Sequence, residues 1–498
     1  MYVQYALSAI YLIAALALAL YGLNSLLLTL IYLKVRGQRA RATADGPLPS
    51  VTVQLPIYNE RWVVCRLIDA VAALDYPRHL LQVQVLDDSS DDTAAIATAV
   101  TERWQRQGLD ISIIHRQERR GYKAGALANA LLEAKGELIA IFDADFLPPQ
   151  DWLRRVVPHF REQERLGFVQ TRWGHLNGAY SPLTRAQALA LDGHFIVEQT
   201  ARQRSGLLMN FNGTAGIWRR RCIEEAGGWT ARTLSEDLDL SYRAQLAGWS
   251  CLYLPEVVAP AEVPPTVSSF KRQQRRWAMG SIQCLRHLAA PLWRSRLGFW
   301  QKLEGFIHLS SYLGHPLMVV LLLVSLPLLL LDGGLRFHVA FLGLASLGWP
   351  LLYAVAQAAQ GPAALRRLLY LPVLVLLGTG VALSNTVAVL RALRRDGGEF
   401  QRTPKFHLMG TSGDWRSKRY SLGFDVTTVA ELALALYALA TIVTAWQQGS
   451  IYAVPFLGLY ACGFAYVAAE SLREARAGRA QGRRSAGSYQ PSGIPADN

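Results

Sequence analysis

The chain has 498 residues, of which 51% are hydrophobic and 18% are charged, and its formal net charge is +14. One hydrophobic core rarely organises so long a chain, so two or more regions are expected. A charge of this size could indicate nucleic-acid binding, but much of the Lys and Arg stands beside apolar stretches, which favours membrane lipids as the partner and no nucleic acid. The five cysteines lie far apart without zinc-site spacing, which indicates reduced thiols.

The first apolar run covers about residues 5–33 and carries no charge. It is long enough to cross a hydrocarbon core of roughly 30 Å. A cleaved signal peptide would have a basic start and a shorter apolar stretch, whereas this run ends in the basic sequence LKVRGQRAR. We predict a transmembrane helix over 1–34, with its N-terminus outside and the following region in the cytoplasm.

An α/β domain with a mainly parallel sheet is predicted over 45–265, because short β-branched runs alternate there with helical stretches. The strand-like runs are VTVQL, LQVQVLDD, ISIIH and GELIAIFDADF. Ligands of such sheets bind beyond the carboxyl ends of the strands. Acidic residues stand at two of these ends, Asp87 and Asp88 after the second run and Asp143 and Asp145 after the fourth.

A solvated turn is the plainer interpretation of either acidic pair alone. Asp143 and Asp145, however, follow an apolar strand, and alternation turns them to one side, where two carboxylates repel unless a cation lies between them. Oxygen ligands favour Mg²⁺ or Mn²⁺, which can neutralise a diphosphate leaving group. The absence of a glycine-rich phosphate loop after the first strand argues against kinase or dehydrogenase chemistry.

Seven short motifs follow one another along the chain. They are PIYNE (56–60), LDDS (86–89), GYKAGAL (121–127), FDADF (142–146), FNGTAG (211–216), SED (235–237) and QQRRW (273–277). In order, spacing and membrane flanks they resemble family 2 processive glycosyltransferases of the cellulose-synthase superfamily, close to plant cellulose-synthase-like β-mannan and glucan synthases. The resemblance covers about residues 50–420 and implies an α/β glycosyltransferase-A domain, the nucleotide-diphospho-sugar transferase fold, with an α-helical transmembrane region.

The resemblance also implies a role for individual residues. Those implied to bind the sugar donor are Tyr58, Glu60, Asp88, Lys123, Asp143, Asp145, Gln273 and Arg276, and Asp143 and Asp145 are also implied to hold the metal. Those implied to contact the acceptor are Gly213, Thr214, Glu236 and Trp277. Asp237 corresponds to the general base, and the chemistry agrees, because inversion at the anomeric carbon requires a carboxylate that takes the acceptor hydroxyl's proton. A helix cap is the plainer interpretation of Ser235-Glu236-Asp237 alone.

Two segments are predicted to lie at the membrane interface. Residues 266–304 contain the QQRRW motif on a basic helix, for which a membrane-surface face is the plainer interpretation. Residues 362–424 contain an apolar run at 368–390 that Gly, Ser, Thr and Asn interrupt, followed by FQRTPK (400–405), which resembles a gating loop but has Arg402 in place of the usual Val. We expect 368–390 to be interfacial or re-entrant, because counting it as a span would put the following basic loop and the basic tail outside.

Transmembrane hairpins are predicted over 305–358 and 425–470, which gives five spans and a C-terminus inside, followed by a basic disordered tail at 471–498. This arrangement predicts a multi-pass protein of the cell membrane whose catalytic domain is cytoplasmic.

Three functions stay open. The first is an inverting, metal-dependent hexosyltransferase that extends a β-linked polysaccharide and passes it through its own membrane segments. The second is the same chemistry with a lipid acceptor, which yields a glycolipid. The third, a catalytically silent channel or scaffold, is the weakest because every acidic position of the motifs is present. Both UDP-glucose and GDP-mannose stay open as donors, and both Mg²⁺ and Mn²⁺ as cofactors.

Overall fold

The computed structural model describes residues 2–38, 46–161, 163–332, 346–400, 402–416, 418 and 425–487. At its centre lies a seven-stranded mixed sheet with the strand order β3-β2-β1-β4-β6-β5-β7. The strands are β1 Val51–Ile57, β2 Leu81–Asp87, β3 Asp110–His115, β4 Leu138–Ile141, β5 Leu166–His175, β6 Gly216–Arg219 and β7 Ser250–Ala261. The first four coincide with the four strand-like runs of the sequence. They are mutually parallel, whereas β6 runs antiparallel between β4 and β5.

Helices cover both faces of the sheet. Up to β7 they are α1 Tyr2–Val35, α2 Val64–Ala72, α3 Thr93–Arg106, α4 Tyr122–Leu131, α5 Trp152–Val156, α6 Pro182–Asp192, α7 Gln199–Arg204, α8 Arg220–Glu225 and α9 Glu236–Leu246, with a π-helical turn at Gly193–Glu198 and 3₁₀ turns at Arg78–Leu80 and Val157–Phe160. Strand β4 shows how the two faces divide: Leu138 and Ala140 pack in one core cluster, and Ile139 and Ile141 in the other. Because both faces of β4 are buried, its four residues form a continuous apolar run.

The remaining helices form the apolar region. They are α10 Val267–Arg294, α11 Phe299–Ser310, α12 Gly314–Asp332, α13 Gly348–Ala358, α14 Leu371–Gly380, α15 Ala382–Ala392, α16 Thr427–Gln447 and α17 Val454–Gly487, with 3₁₀ turns at Ser311–Leu313, Pro362–Tyr370 and Ile451–Ala453. Within the described residues, five helical segments are long and apolar enough to cross a membrane: Tyr2–Val35, Phe299–Leu331, Pro362–Gly380, Thr427–Gln447 and Ile451–Ala477.

This set differs from the predicted spans at two places. Pro362–Gly380 belongs to the segment predicted to be interfacial, while the predicted run at 339–355 lies partly outside the described residues and its described helix, α13, has 11 residues. Length and composition do not distinguish a span from an interfacial helix, so the interfacial assignment stays a prediction.

The C-terminal boundary needs a correction. Helix α17 continues to Gly487, past residue 471, where the disordered tail was predicted to begin. The reason is composition, because this stretch is rich in Ala, Arg and Glu, which have high helix propensity. Residues 488–498 of the predicted tail lie outside the described residues.

Candidate active site

A cavity lies beyond the carboxyl ends of β1, β2 and β4, where parallel strands of an α/β sheet bind ligands. Residues from all seven motifs line it. They include Tyr58, Glu60, Asp88, Lys123, Asp143, Asp145, Gly213, Glu236, Asp237, Gln273, Arg276 and Trp277. The sheet therefore gathers into one place groups that are more than two hundred residues apart in the sequence.

Thr214 is the one predicted site residue that the cavity lining does not contain. Its side chain is fully buried, and its hydroxyl accepts a hydrogen bond from the backbone N–H of Asp143 at 2.9 Å. Thr214 therefore lies behind Asp143 and positions it, and its contact with the acceptor stays a prediction.

Two arginines that the motifs did not indicate organise the end of the cavity near Tyr58. The guanidinium of Arg116 donates to both carboxylate oxygens of Asp88, at 2.8 and 2.5 Å. Arg119 stacks over the Tyr58 ring, with 3.3 Å between its guanidinium carbon and the ring centroid. Both precede the GYKAGAL motif in RQERRGYK, where a cluster of arginines was the only available signal. Planar groups stacked in this way form a platform suited to a nucleobase.

Lys123 connects the middle of the cavity to the acidic motif. Its ammonium donates to Asp143 Oδ1 at 2.6 Å and to the Gly213 carbonyl at 2.9 Å. Burial disfavours the charged ammonium, but the carboxylates of Asp143 and Glu236 outweigh burial and raise the pKa of Lys123. A permanently charged lysine at this position can bind phosphate oxygens.

Asp145 is held by a lysine from a distant segment. Lys405 donates to Asp145 Oδ2 at 2.6 Å, and the backbone N–H of Glu262 donates to the same oxygen at 3.2 Å. Burial opposes the charge of Lys405, but Asp145, Glu60 and Glu262 raise its pKa. Asp145 Oδ1 is buried and has no hydrogen-bond partner among the described residues.

These carboxylates fit a divalent cation that is also bound by a substrate. The Asp143 side chain is 37% exposed and lines the cavity, as does Asp145, whose Oδ1 is unsatisfied. Within the described part of the chain, no cluster of three or more His, Cys, Asp or Glu could hold a metal alone. Mg²⁺ and Mn²⁺ are suited to such a site, because they bind through one or two carboxylates together with substrate phosphates.

Asp237 lies in the first turn of α9, beside Glu236. Burial, reinforced by the Glu236 carboxylate, raises the pKa of Asp237 to about 7. Ser235 precedes the helix, but its side chain makes no capping hydrogen bond, so this structure does not support the helix-cap interpretation of the motif. Gly213 faces Asp237 with a φ of +82°, and a Cβ there would lie 2.9 Å from Asp237 Oδ2. Glycine thus keeps the carboxylate open to the cavity.

The segment that resembles a gating loop closes one side of the cavity. Arg402 forms an ion pair with Glu60 at 2.9 Å, so the unusual arginine has a specific partner. Burial raises the pKa of Glu60 to about 7, against the opposing charges of Arg402 and Lys405. The ring of Phe400 lies 4.7 Å below the Arg276 guanidinium and 6.1 Å from the Tyr122 ring. Gln401 lies outside the described residues.

The family model described as "Glycosyltransferase like family 2" matches residues 49–280, which contain the sheet and all seven motifs. This chain contains a family 2 glycosyltransferase domain. The resemblance inferred from the motifs is thereby confirmed. The glycosyltransferase domain ends within α10, so the match includes Gln273, Arg276 and Trp277 but leaves out Lys405 and the later helices.

Two curated plant proteins are similar to the domain and its flanks. Glucomannan 4-beta-mannosyltransferase 2 of Arabidopsis thaliana is 40% identical over 291 residues, which are 57% of this chain and 54% of the relative. Glucomannan 4-beta-mannosyltransferase 1 of Oryza sativa subsp. japonica is 39% identical over 275 residues, 54% of this chain and 53% of the relative. The matched part of the chain thus spans about half the length of these relatives.

One solved structure supports the fold. The mannosyltransferase PcManGT of Pyrobaculum calidifontis, in complex with GDP-Man and Mn²⁺, aligns with a TM-score of 0.50 and 22% sequence identity, over 77% of this chain and 99% of that one. The predicted fold class, a glycosyltransferase-A domain beside an apolar helical region, is confirmed.

Proposed function

We propose that this chain is a membrane-embedded, inverting hexosyltransferase that extends a β-linked polysaccharide. One observation carries the proposal: the cavity of the glycosyltransferase domain adjoins a second cavity of about 400 Å³ between the apolar helices. The two share Asp237, Gln273 and Trp277 in their walls. A growing chain that passes from the first cavity into the second would leave the reacting centre without entering bulk solvent.

The walls of the second cavity suit a sugar polymer. Polar and aromatic side chains outnumber aliphatic ones along it, although the helices α1, α12 and α14, which belong to the apolar part of the molecule, form part of its wall. Its aromatic members are Tyr21, Trp173, Phe195, Phe270, Trp277, Tyr312 and Trp349. Aromatic rings offer flat apolar faces on which the C–H faces of pyranose rings pack, while polar side chains satisfy the hydroxyl groups.

The chemistry follows from the positions of the charged groups. The acceptor hydroxyl attacks the anomeric carbon of the donor, Asp237 takes the hydroxyl proton, and the bond from that carbon to the diphosphate breaks with the electron pair leaving on the nucleotide. Lys123 and Arg276 bind the phosphate oxygens and stabilise their growing charge. Asp143 and Asp145 would hold Mg²⁺ or Mn²⁺, which supplies further neutralisation of the leaving group.

GDP-mannose is the first donor to test. The two plant relatives are named mannosyltransferases, and the structure that shares the fold was solved with GDP-Man and Mn²⁺. Competition binding with GDP and UDP on the purified full chain, with Mn²⁺ present, distinguishes the donors. We expect GDP to bind more tightly, and a preference for UDP would reassign the donor to UDP-glucose.

A lipid acceptor is the second candidate, because the same cavity reaches between apolar helices. Incubation of the full chain in lipid nanodiscs with labelled donor separates the two functions. A polymer that resists organic extraction supports polysaccharide synthesis, whereas a label that enters the organic phase as a single-sugar lipid supports glycolipid synthesis. Absence of both transfer and donor hydrolysis would favour a silent scaffold.

Contacts at both ends of the segment 362–392 support its interfacial placement. Near the first end, Arg367 pairs with Asp192 of α6 at 3.1 Å. Near the second end, Arg286 of α10 donates to the Ala392 carbonyl at 2.8 Å. One end therefore contacts the glycosyltransferase domain and the other contacts α10, the helix that leaves this domain, which fits a segment lying along the membrane surface better than one crossing it.

A further inference from the structure

A separate, basic cavity lies between the glycosyltransferase domain and the segment 362–370, apart from both the proposed transfer site and the cavity between the apolar helices. Its volume is about 470 Å³. Four arginines line it, namely Arg172 from β5, Arg185 from α6, and Arg366 and Arg367 from the 3₁₀ turn. Asp192 is the one carboxylate in the described lining, so the cavity has a strong excess of positive charge.

The carboxylate of Asp192 offsets part of this positive charge, and its oxygens are already bonded to four side chains. His175 bonds to it at 3.0 Å, Gln357 and Gln360 donate to it at 3.0 and 2.9 Å, and Arg367 pairs with it at 3.1 Å. These partners come from β5, from α13 and the turn that follows it, and from the 3₁₀ turn, so Asp192 holds the walls of the cavity together.

Two polar atoms in the wall lack a partner. Arg172 Nε is buried and makes no hydrogen bond to the described residues. The His175 side chain is 10% exposed, and its Nδ1 is buried without a hydrogen-bond partner there. Buried donors and acceptors are rarely left unpaired, so a polar ligand in this cavity would satisfy both. An anionic ligand that also carries a hydroxyl group meets both requirements, because its anionic oxygen accepts from Arg172 and its hydroxyl donates to His175 Nδ1.

We propose that this basic cavity binds the phosphate group of an anionic membrane lipid. The arginines present the forked donors that phosphate oxygens accept. A lipid is favoured over a soluble phosphate because the 3₁₀ turn leads directly into the apolar helix α14, in the segment that we propose lies at the membrane interface. Leu365 and Leu369 of the same turn are 42% and 78% exposed, which gives an acyl chain an adjacent apolar surface.

The basic cavity also borders the proposed transfer site. Trp173, Gly174 and His175 line both this cavity and the donor cavity, so they form the wall between them. A bound lipid phosphate would thus join the segment 362–370 to the glycosyltransferase domain next to the donor. The proposal itself concerns binding and does not depend on which sugar is transferred.

The test uses the purified full chain in detergent, titrated with phosphatidylglycerol, with phosphatidylcholine, or with inorganic phosphate, and lipid retention is measured by native mass spectrometry. Arg366→Gln removes an exposed arginine of the cavity, and Arg172→Gln removes the buried donor. Arg394→Gln is the matched control, because Arg394 is exposed beyond the other end of the same segment and does not line the cavity. Melting temperatures close to that of the unchanged chain establish that each variant is folded.

We expect phosphatidylglycerol to be retained in preference to phosphatidylcholine, and each cavity variant to weaken that retention about tenfold or more, as the loss of one charge-assisted hydrogen bond predicts. Arg394→Gln should change it less than about twofold, as expected for a screened surface charge. Equal retention of the two lipids, or an equal loss in the control, would overturn the proposal. Displacement of the lipid by inorganic phosphate at similar concentrations would assign the cavity to a soluble phosphate and overturn the lipid source.

Discussion

In the proposed mechanism, burial of the Asp237 carboxyl beside a second acid, Glu236, sets the proton chemistry of the transfer site. An acid with an ordinary pKa would be a weak base, whereas a pKa near 7 matches a general base to neutral conditions. The neighbouring glycine at 213 leaves room for a hydroxyl group at that carboxylate. A substitution at Asp237 can therefore test the proton-transfer step separately from donor binding.

Asp237→Asn keeps the size of the side chain but cannot accept a proton. We expect transfer at saturating donor to fall about 10² to 10⁴-fold, the usual contribution of general-base catalysis, with nucleotide affinity unchanged. Transfer rate and nucleotide affinity are measured on the same preparation. Transfer within a few-fold of the unchanged chain would exclude the base assignment, and a joint loss of affinity would make Asp237 a donor-binding residue.

The pH dependence provides a second test. Because Asp237 must be deprotonated to act as a base and its pKa is raised to about 7, transfer should rise with pH up to a plateau above about 7. Glu236→Gln removes the neighbouring negative charge, lowers the pKa of Asp237, and should move this rise to lower pH. Glu224→Gln, on the exposed surface, serves as the control and should leave the profile in place. A profile that Glu236→Gln does not move would contradict the coupling.

Asp143 and Asp145 are the residues on which the proposed metal dependence rests. Asp143→Ala or Asp145→Ala should abolish the Mn²⁺-stimulated part of donor binding, because one carboxylate cannot place a six-coordinate ion against two phosphates. Donor affinity is measured with Mn²⁺ and with a chelator. Asp151→Ala, an exposed acid outside the cavity, is the control and should keep the full stimulation. Normal stimulation in both variants would remove the metal assignment.

Among the larger elements, α10 connects the transfer site to the apolar helices. Lys271 of α10 is 1% exposed and pairs with the fully buried Glu431 of α16 at 2.8 Å, and with Asp425 at 3.3 Å. At the start of α10, Glu474 of α17 accepts from the backbone N–H groups of Val267 and Ser268. The helix that carries Gln273 and Trp277 is thereby held by two apolar helices.

The buried pair makes a prediction about stability. Lys271→Met leaves the Glu431 carboxylate buried without its closest partner, which should cost ~3–5 kcal/mol and lower the melting temperature of the purified chain. The double variant Lys271→Met/Glu431→Met has no unpaired buried carboxylate at position 431, so much of the lost stability should be recovered. Lys135→Met, at a side chain that is 68% exposed, is the surface control. A double variant as unstable as the single one would show that the pair does not act as a unit.

Across the whole molecule, four of the described apolar helices contact the glycosyltransferase side. Val35 at the end of α1 accepts from Arg204, Gln357 of α13 donates to Asp192, and Glu474 of α17 caps α10. The beginning of α16 lies beside Lys271. These contacts fit the proposed arrangement of five spans with 362–392 at the interface, in which we expect the turn after α16 to lie on the opposite side of the membrane.

Labelling with a membrane-impermeant thiol reagent tests this arrangement, in a background where the exposed Cys65 and Cys462 are replaced by serine. In intact cells, Gln448→Cys in the turn after α16 should react and Arg394→Cys should not, because only the former lies outside. After lysis, both should react. Reaction of Arg394→Cys in intact cells would show that 362–392 crosses the membrane.

From the sequence alone, local patterns determined the four parallel strands, the acidic groups at their ends and the family, because each depends on neighbouring residues. The basic composition after residue 471 predicts a disordered tail, whereas α17 continues to Gly487 because the residues of this stretch favour helix. Tertiary structure alone decided the partners of the site: Lys405 reaches Asp145 across 260 residues, and Arg402 reaches Glu60. It also decided that Thr214 lies behind Asp143 and that a cavity between the apolar helices adjoins the transfer cavity. Such contacts depend on how the sheet and helices pack. Packing brings together residues that are far apart in the sequence, and the residues next to them in the sequence do not indicate the contact.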